Sequence, residues 1–150
     1  MAAYNFQKQF VGAVETWQKR HTIRRIGKRT HSKPGDRIQL YTGMRTRHCR
    51  KIINPDPTCL IRQPIIIEVS ETRIDSIELG GKYIEKLDEF AKSDGFDDLA
   101  AMHEFWINFN GFGSFDGFLV GWGPRTSSHR KAIDKSGPQM YPLDLVLEAV

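Results

Sequence analysis

The stretch LIRQPIIIEV, from Leu60 to Val69, is the most apolar segment of this 150-residue chain. It is rich in β-branched side chains, which favour the pleated conformation of a strand. Pro64 has no amide hydrogen to donate, so we expect it at a sheet edge or at a bulge. The segment predicts a buried strand from which the rest of the fold can be traced in both directions.

Shorter segments on both sides alternate apolar and polar residues, as half-buried strands do. They predict strands over 4–10, 21–26, 37–41, 46–53 and 72–79, and a closing strand over 115–122. Ile38, Leu40 and Ile77 are expected to face the core. A turn is predicted at Pro34-Gly35, because proline presets one backbone angle and glycine permits a positive φ.

Apolar residues at helical spacing predict helices over 11–19 and 83–93. A third helix is expected to begin after Asp97, whose side chain can cap it, and to end near residue 108. Short strands, two late helices and a returning strand together predict an α+β fold. We expect a small mixed β-barrel with flanking helices and a cleft between the barrel wall and the inserted helices.

Charge is distributed unevenly along the chain, although the net charge is only +4. Residues 1–62 hold 14 lysines and arginines against three acidic residues, a net charge of +11. The remainder holds eight basic and 15 acidic residues, a net charge of −7. A basic half attracts phosphates, which favours a nucleic-acid partner, whereas the alternative is a dipolar surface without one.

The composition also limits location and cofactors. The longest apolar run is far shorter than the roughly 20 residues that span a bilayer, and the start of the chain lacks a secretory signal pattern. We therefore expect a cytoplasmic protein with reduced thiols at Cys49 and Cys59. His48 and the two cysteines lack the spacing of a zinc site, so we expect no metal and no cofactor.

The segment WQKRHTIRR, residues 17–25, concentrates groups that can bind anions or carry out chemistry. A lysine such as Lys19 can act as a base when burial lowers its pKa, and the Thr22 hydroxyl can attack a carbonyl. Arg24 and Arg25 suit phosphate or carboxylate. In a strand, Thr22 and Arg24 share one face. The alternative is a solvated basic strand.

Further candidate contacts to RNA follow from residue type alone. Arg20 and His21 flank the same segment, and we expect His21 and His31 to be exposed. An aromatic residue with basic neighbours can stack on a base and hold a phosphate, which makes Tyr41, Arg45 and Arg47 candidates. The alternative for these three is a solvated hairpin with the tyrosine in the core.

The order of several short motifs resembles the ASCH domain family, whose members share the PUA-like barrel fold. The motifs are Phe10, Lys19, Thr22-Ile23-Arg24, Pro34-Gly35-Asp36-Arg37-Ile38 and Asp94-Gly95-Phe96-Asp97, with Phe118–Trp122 in the place of the last strand. The resemblance implies an ASCH/PUA-like domain over residues 1–124. Residues 125–150 form a polar extension that either docks on the domain or is partly disordered.

The resemblance implies handling of RNA or of a modified nucleoside. In one bacterial branch of the family, amidohydrolases that deacetylate N4-acetylcytidine use a Lys, a Thr three residues later and a downstream Glu. Lys19 and Thr22 fall on the first two positions, and Asp94 falls on the third. The shorter Asp side chain departs from that pattern, as does the absence of a glycine from the turn before Lys19.

Three functions follow as hypotheses. The first is a module that binds RNA or a modified nucleoside in a cleft lined by Lys19, Thr22, Arg24 and Asp94. The second is a metal-independent amidohydrolase in which Lys19 takes the Thr22 proton, Asp94 protonates the leaving amine, and Arg24 orients Asp94 or stabilises the oxyanion. The third is a ribonuclease that places Lys19, His21 and Arg24 around a scissile phosphate.

Overall fold

The structure is a computed structural model that describes residues 2–28 and 30–124, and the predicted extension over 125–150 lies outside the described residues. The strands are β1 (Ala2–Phe6), β2 (His21–Arg25), β3 (Ile38–Thr42), β4 (Arg50–Lys51), β5 (Thr58–Val69), β6 (Ile74–Leu79), β7 (Lys82–Tyr83) and β8 (Gly113–Gly123). The helices are α1 (Lys8–Glu15), α2 (Leu87–Ser93) and α3 (Leu99–Asn110). The predicted α+β class is confirmed.

The larger sheet is antiparallel throughout and has the strand order β2-β8-β5-β6-β7. The apolar strand β5 lies at its centre, paired with β8 on one side and with β6 on the other. Ile61, Ile65 and Ile67 are buried on one face of β5, which is the alternation expected of a strand that covers a core.

Pro64 was expected at an edge or a bulge, and it lies where β5 passes the end of β6, because the β5–β6 register begins at Ile65 and Pro64 is paired only with β8. Pro64 faces Phe118 of β8, and its carbonyl accepts a hydrogen bond from the amide of Gly80. The N–H and C=O of a strand residue point to the same side, so the missing amide hydrogen faces the end of β6. The proline therefore costs the sheet little, because the β5–β6 ladder stops there.

The smaller sheet has the order β1-β3-β4, with β1 parallel to β3 and β3 antiparallel to β4. A β-bridge between Arg37 and Thr58 joins the segment before β3 to the start of β5. The amide of Cys59 strengthens this junction by donating to the carbonyl of Asp36 over 2.7 Å. The junction thus connects the smaller sheet to β5 of the larger sheet.

Several helix boundaries differ from the prediction: α1 ends at Glu15 and not at 19, and α2 begins at Leu87 and not at 83. The first helix begins at Lys8, inside the predicted strand over 4–10, so Phe10 joins Val14 on the buried face of α1. Asp98, rather than Asp97, caps α3, because its carboxylate accepts the amide hydrogen of Ala101 over 2.7 Å. Either of two adjacent aspartates can act as an N-cap, and the backbone conformation determines which side chain reaches the free amides.

The core contains Trp106 and Trp122. Trp122 meets Phe6 edge to face, with ring centroids 5.9 Å apart, so the last strand packs against the first. His31 was expected to be exposed, but it is buried and its Nδ1 lies 3.0 Å from the hydroxyl of Tyr4. A polar ring at this depth is stabilised by such a partner.

Candidate functional site

Lys19 is directed inward by a tight turn after α1. Trp17 adopts a left-handed backbone conformation with φ 64°, which is uncommon for a residue with a side chain. Trp17 is buried, and the amide of Lys19 donates to the carbonyl of Ala13 over 2.9 Å. Trp17 thus occupies the conformation that glycine would adopt most easily, in the turn where the family pattern has a glycine.

Lys19 and Asp94 form a buried ion pair between the start of β2 and the end of α2. Lys19 Nζ donates to Asp94 Oδ1 and to the Asp94 carbonyl, both over 2.6 Å. The two side chains are only 5% and 6% exposed. The Asp94 amide donates in turn to the carbonyl of Phe90, so the last turn of α2 holds the carboxylate in place.

His21 is a second neighbour of the Asp94 carboxylate, with Nε2 lying 3.2 Å from Oδ1. Its ring stacks on Phe90 at a centroid distance of 5.5 Å and is fully buried. The expectation that His21 is exposed is therefore wrong. Thr22 and Arg24 take the opposite face of β2, so His21 turns toward α2.

Burial and charge shift the pKa values of this cluster. Burial lowers the pKa of the Lys19 amine below its ordinary value, against the opposing effect of Asp94. Burial also lowers the pKa of His21 and favours its neutral form. For Asp94, burial favours protonation, but the Lys19 charge and the His21 contact outweigh it and hold the pKa of the carboxyl below its usual range. Asp94 is therefore ionised at neutral pH.

Arg24 links Thr22 to the first strand. Its Nε donates to Thr22 Oγ1 over 3.1 Å, and one terminal nitrogen donates to the carbonyl of Asn5 over 2.8 Å. The guanidinium also lies 5.4 Å from the ring centroid of Tyr4 and 5.5 Å from that of Phe6. Thr22 and Arg24 share one face of β2, as predicted, and the threonine oxygen faces a cation.

A cleft of about 240 Å³ opens above these groups. Its lining residues are Asn5, Phe6, Gln7, Phe10, Lys19, Thr22, Ile23, Arg24, Arg25, Asp94, Phe96, Phe105, Trp106, Phe109, Asn110 and Phe115. The fold thus brings Lys19, Thr22, Arg24, Arg25 and Asp94 of the predicted site to one cavity, although 75 positions separate Lys19 from Asp94.

The remaining predicted residues lie elsewhere. Arg20 is buried, and its carbonyl accepts the amide hydrogen of Trp122. Tyr41 faces Lys51 across the β3–β4 pair and is partly buried. Arg45 and Arg47 are exposed in the loop between β3 and β4.

Local sequence patterns did not predict the aromatic and amide walls of the cleft. Asn5, Gln7 and Phe10 come from the start of the chain, whereas Phe105 and Phe109 come from α3. The (i, i+4) spacing of the two phenylalanines was a usable signal, since it places both on one face of a helix. Their proximity to Lys19 depends on tertiary contacts between distant segments.

Gly95 allows the close packing behind Lys19. It has φ +97°, and a Cβ there would lie 2.8 Å from Cδ1 of Phe10 and 3.4 Å from Cδ of Lys19. Both the backbone conformation and the space therefore favour glycine directly after Asp94.

No protein-family model, curated protein or solved structure matches the chain. The resemblance to the ASCH family therefore stays a prediction. Among residues 2–28 and 30–124, no helix is long and apolar enough to cross a membrane. The same residues contain no group of three or more His, Cys, Asp or Glu side chains arranged to hold a metal ion.

The ion pair predicts a strong asymmetry between single and double variants. Lys19→Met leaves the Asp94 carboxylate buried without its cation and should lower the free energy of unfolding by about 3–5 kcal/mol, because breaking a buried pair costs far more than replacing it. Lys19→Met combined with Asp94→Asn should recover a large part of that loss. Urea denaturation of the variants measures both effects.

Arg73→Met is the matched control, since Arg73 Nε pairs with Asp75 over 2.9 Å at the surface. An exposed pair contributes about 0–1 kcal/mol. A Lys19→Met variant as stable as Arg73→Met would contradict the buried pair.

Proposed function

We propose that the chain is an ASCH-type protein with a PUA-like barrel that binds a base of RNA, or a modified nucleoside, in the cleft over Lys19 and Asp94. The observation that carries the proposal is the joining of aromatic walls to a floor of ionic and hydroxyl groups in one cavity. Proteins recognise unstacked bases by stacking on aromatic rings and by hydrogen bonds to the base edge.

The walls supply surfaces for stacking. Phe105 packs against Phe109 at a centroid distance of 4.5 Å, and Phe10 meets Phe105 at 5.5 Å. Phe109 remains 61% exposed, so one ring at the rim is available to a ligand. A flat heterocycle is the ligand that gains most from such rings.

The polar groups suit the edge of a base. Asn5, Gln7 and Asn110 line the cleft with side chains that both donate and accept hydrogen bonds. Asp94 accepts and Lys19 donates at the floor. The cavity, about 240 Å³, is smaller than the roughly 300–1,000 Å³ of drug-sized sites, which favours a single base over a folded RNA.

The ribonuclease hypothesis is the least supported of the three. It needs His21 beside a phosphate, but His21 is fully buried against Phe90. A phosphate at the floor would also approach the Asp94 carboxylate, which is repulsive. We therefore retain binding, and one hydrolytic reaction, as the candidates.

The second candidate is the amidohydrolase, favoured by the hydrogen bond from Arg24 Nε to Thr22 Oγ1. A cationic donor stabilises the alkoxide that forms when the Thr22 proton passes to the unprotonated form of the Lys19 amine, which burial makes more accessible by lowering the pKa of Lys19. Thr22 then attacks the acetyl carbonyl of N4-acetylcytidine, and the C–N bond breaks. Because Asp94 is ionised, the proton for the leaving amine returns from the Lys19 ammonium. Water finally hydrolyses the acetyl-threonine ester to acetate.

Binding is tested by isothermal titration calorimetry with cytidine, N4-acetylcytidine, uridine, adenosine and guanosine. At least one nucleoside should bind to the wild type. Phe109→Ala should weaken that binding about 5- to 150-fold, since stacking on an aromatic ring contributes about 1–3 kcal/mol per base.

Phe112→Ala is the matched control, because Phe112 is 63% exposed and does not line the cleft. The affinity of the Phe112→Ala variant for the nucleoside should stay within about twofold of the wild type, as expected when the ring that is removed contacts no ligand. Equal losses in both variants, or no binding of any nucleoside, would refute the proposed site.

Hydrolysis is tested by incubating the wild type with N4-acetylcytidine in chelator and following release of cytidine and acetate by chromatography. Thr22→Val keeps the shape of the side chain but removes the nucleophile, so release should fall to background. Thr16→Val, at an exposed helix end, should leave the rate unchanged. No release by the wild type would rule out the reaction and leave binding alone.

A further inference from the structure

A groove of about 850 Å³ runs beside the cleft, between the start of α1 and the loop that joins β3 to β4. It shares Asn5, Phe6 and Gln7 with the cleft. The two cavities therefore adjoin at these residues, so a ligand held in the cleft can extend past Asn5 toward the groove.

The far wall of the groove is an ordered loop. The amide of Met44 donates to Asn5 Oδ1 over 3.0 Å, and Thr46 Oγ1 bonds both the Gly43 carbonyl and the His48 amide. Gly43 has φ +67°, and a Cβ there would lie 2.9 Å from the carbonyl of His48. A wall that is already in place requires little ordering when a ligand binds.

Basic and acidic side chains line different cavities beside the cleft. Lys8, His48 and Arg50 line the groove. On the other side of the cleft, a depression of about 440 Å³ shares Phe105 and Phe109 with it and is lined by Asp97 and Glu104. A polyanion that leaves the cleft is attracted toward the groove and repelled from the depression.

Two arginines near the groove differ in whether they line it. Met44, Thr46, His48 and Arg50 line the groove, whereas Arg45 is exposed outside it. Arg50 is held toward α1 by Glu15, with 2.9 Å between Arg50 NH2 and Glu15 Oε1. Arg45, in the loop, and Arg50, at the start of β4, thus carry the same charge in different positions relative to the groove.

We propose that the groove is a subsite for the nucleotides adjoining the cleft-bound base, with Lys8 and Arg50 at their phosphates, so that the ligand is a single-stranded RNA segment. This inference rests on the proposed function, because it assumes that a base occupies the cleft. It specifies the class of ligand, because a free nucleoside has no phosphate for the basic residues of the groove to contact.

The test compares free nucleosides with uridine-containing RNA tetramers that carry the same nucleoside at the 5′ or the 3′ end. One of the two tetramer series should bind at least tenfold more tightly than the nucleoside in dilute salt. Because phosphate contacts release counterions, this gain should shrink as salt rises. Only one polarity should gain, since the acidic depression opposes the other.

Lys8→Gln and Arg50→Gln should each reduce the gain at least threefold without changing nucleoside affinity. Arg45→Gln is the control for charge alone and should stay within twofold of the wild type. A nucleoside that binds while neither tetramer binds more tightly would overturn this inference and leave the proposed function intact. Binding of neither nucleosides nor tetramers would overturn both.

Discussion

The buried ion pair between Lys19 and Asp94 is the interaction on which the candidate site depends. Two charges removed from water are costly, and they persist here because each has an additional partner. Lys19 also bonds the Asp94 carbonyl, and His21 lies beside the carboxylate. The pair joins the start of β2, in the larger sheet, to the end of α2. It therefore sets where the floor of the cleft lies relative to the aromatic walls on α3.

The shorter acidic side chain has a structural consequence. An aspartate carries its carboxylate about 1.5 Å, roughly one C–C bond, closer to the backbone than a glutamate does. The 2.6 Å contacts show that Lys19 reaches both the carboxylate and the main chain of the shorter residue. The amine is thereby held at the floor beside Asp94. For the amidohydrolase this geometry favours Lys19, rather than Asp94, as the proton carrier.

Local patterns predicted part of the structure and missed the rest for physical reasons. Apolar, β-branched composition identified β5, and alternation identified the buried faces of Ile38 and Leu40, because burial on one side of a strand leaves a period of two. The resemblance to the ASCH family, and not a local pattern, predicted that Lys19 and Asp94 share one site. Pattern could not place Phe105 near Lys19, since that proximity depends on how α3 packs, and it missed the burial of His21 for the same reason.

The pKa of the Lys19 amine tests the central claim most directly. NMR titration of ¹³Cε-labelled lysine, assigned with Lys19→Arg, should show one lysine titrating below the ordinary value of 10.5, because burial disfavours its charge. Between the lowered pKa of Lys19 in the folded chain and 10.5, the unfolded chain binds a proton that the folded chain does not. The contribution of Lys19 to stability therefore rises with pH up to about 10.5. A Lys19 signal that titrates at 10.5, as for a solvated lysine, would contradict the burial of this amine at the floor of the cleft.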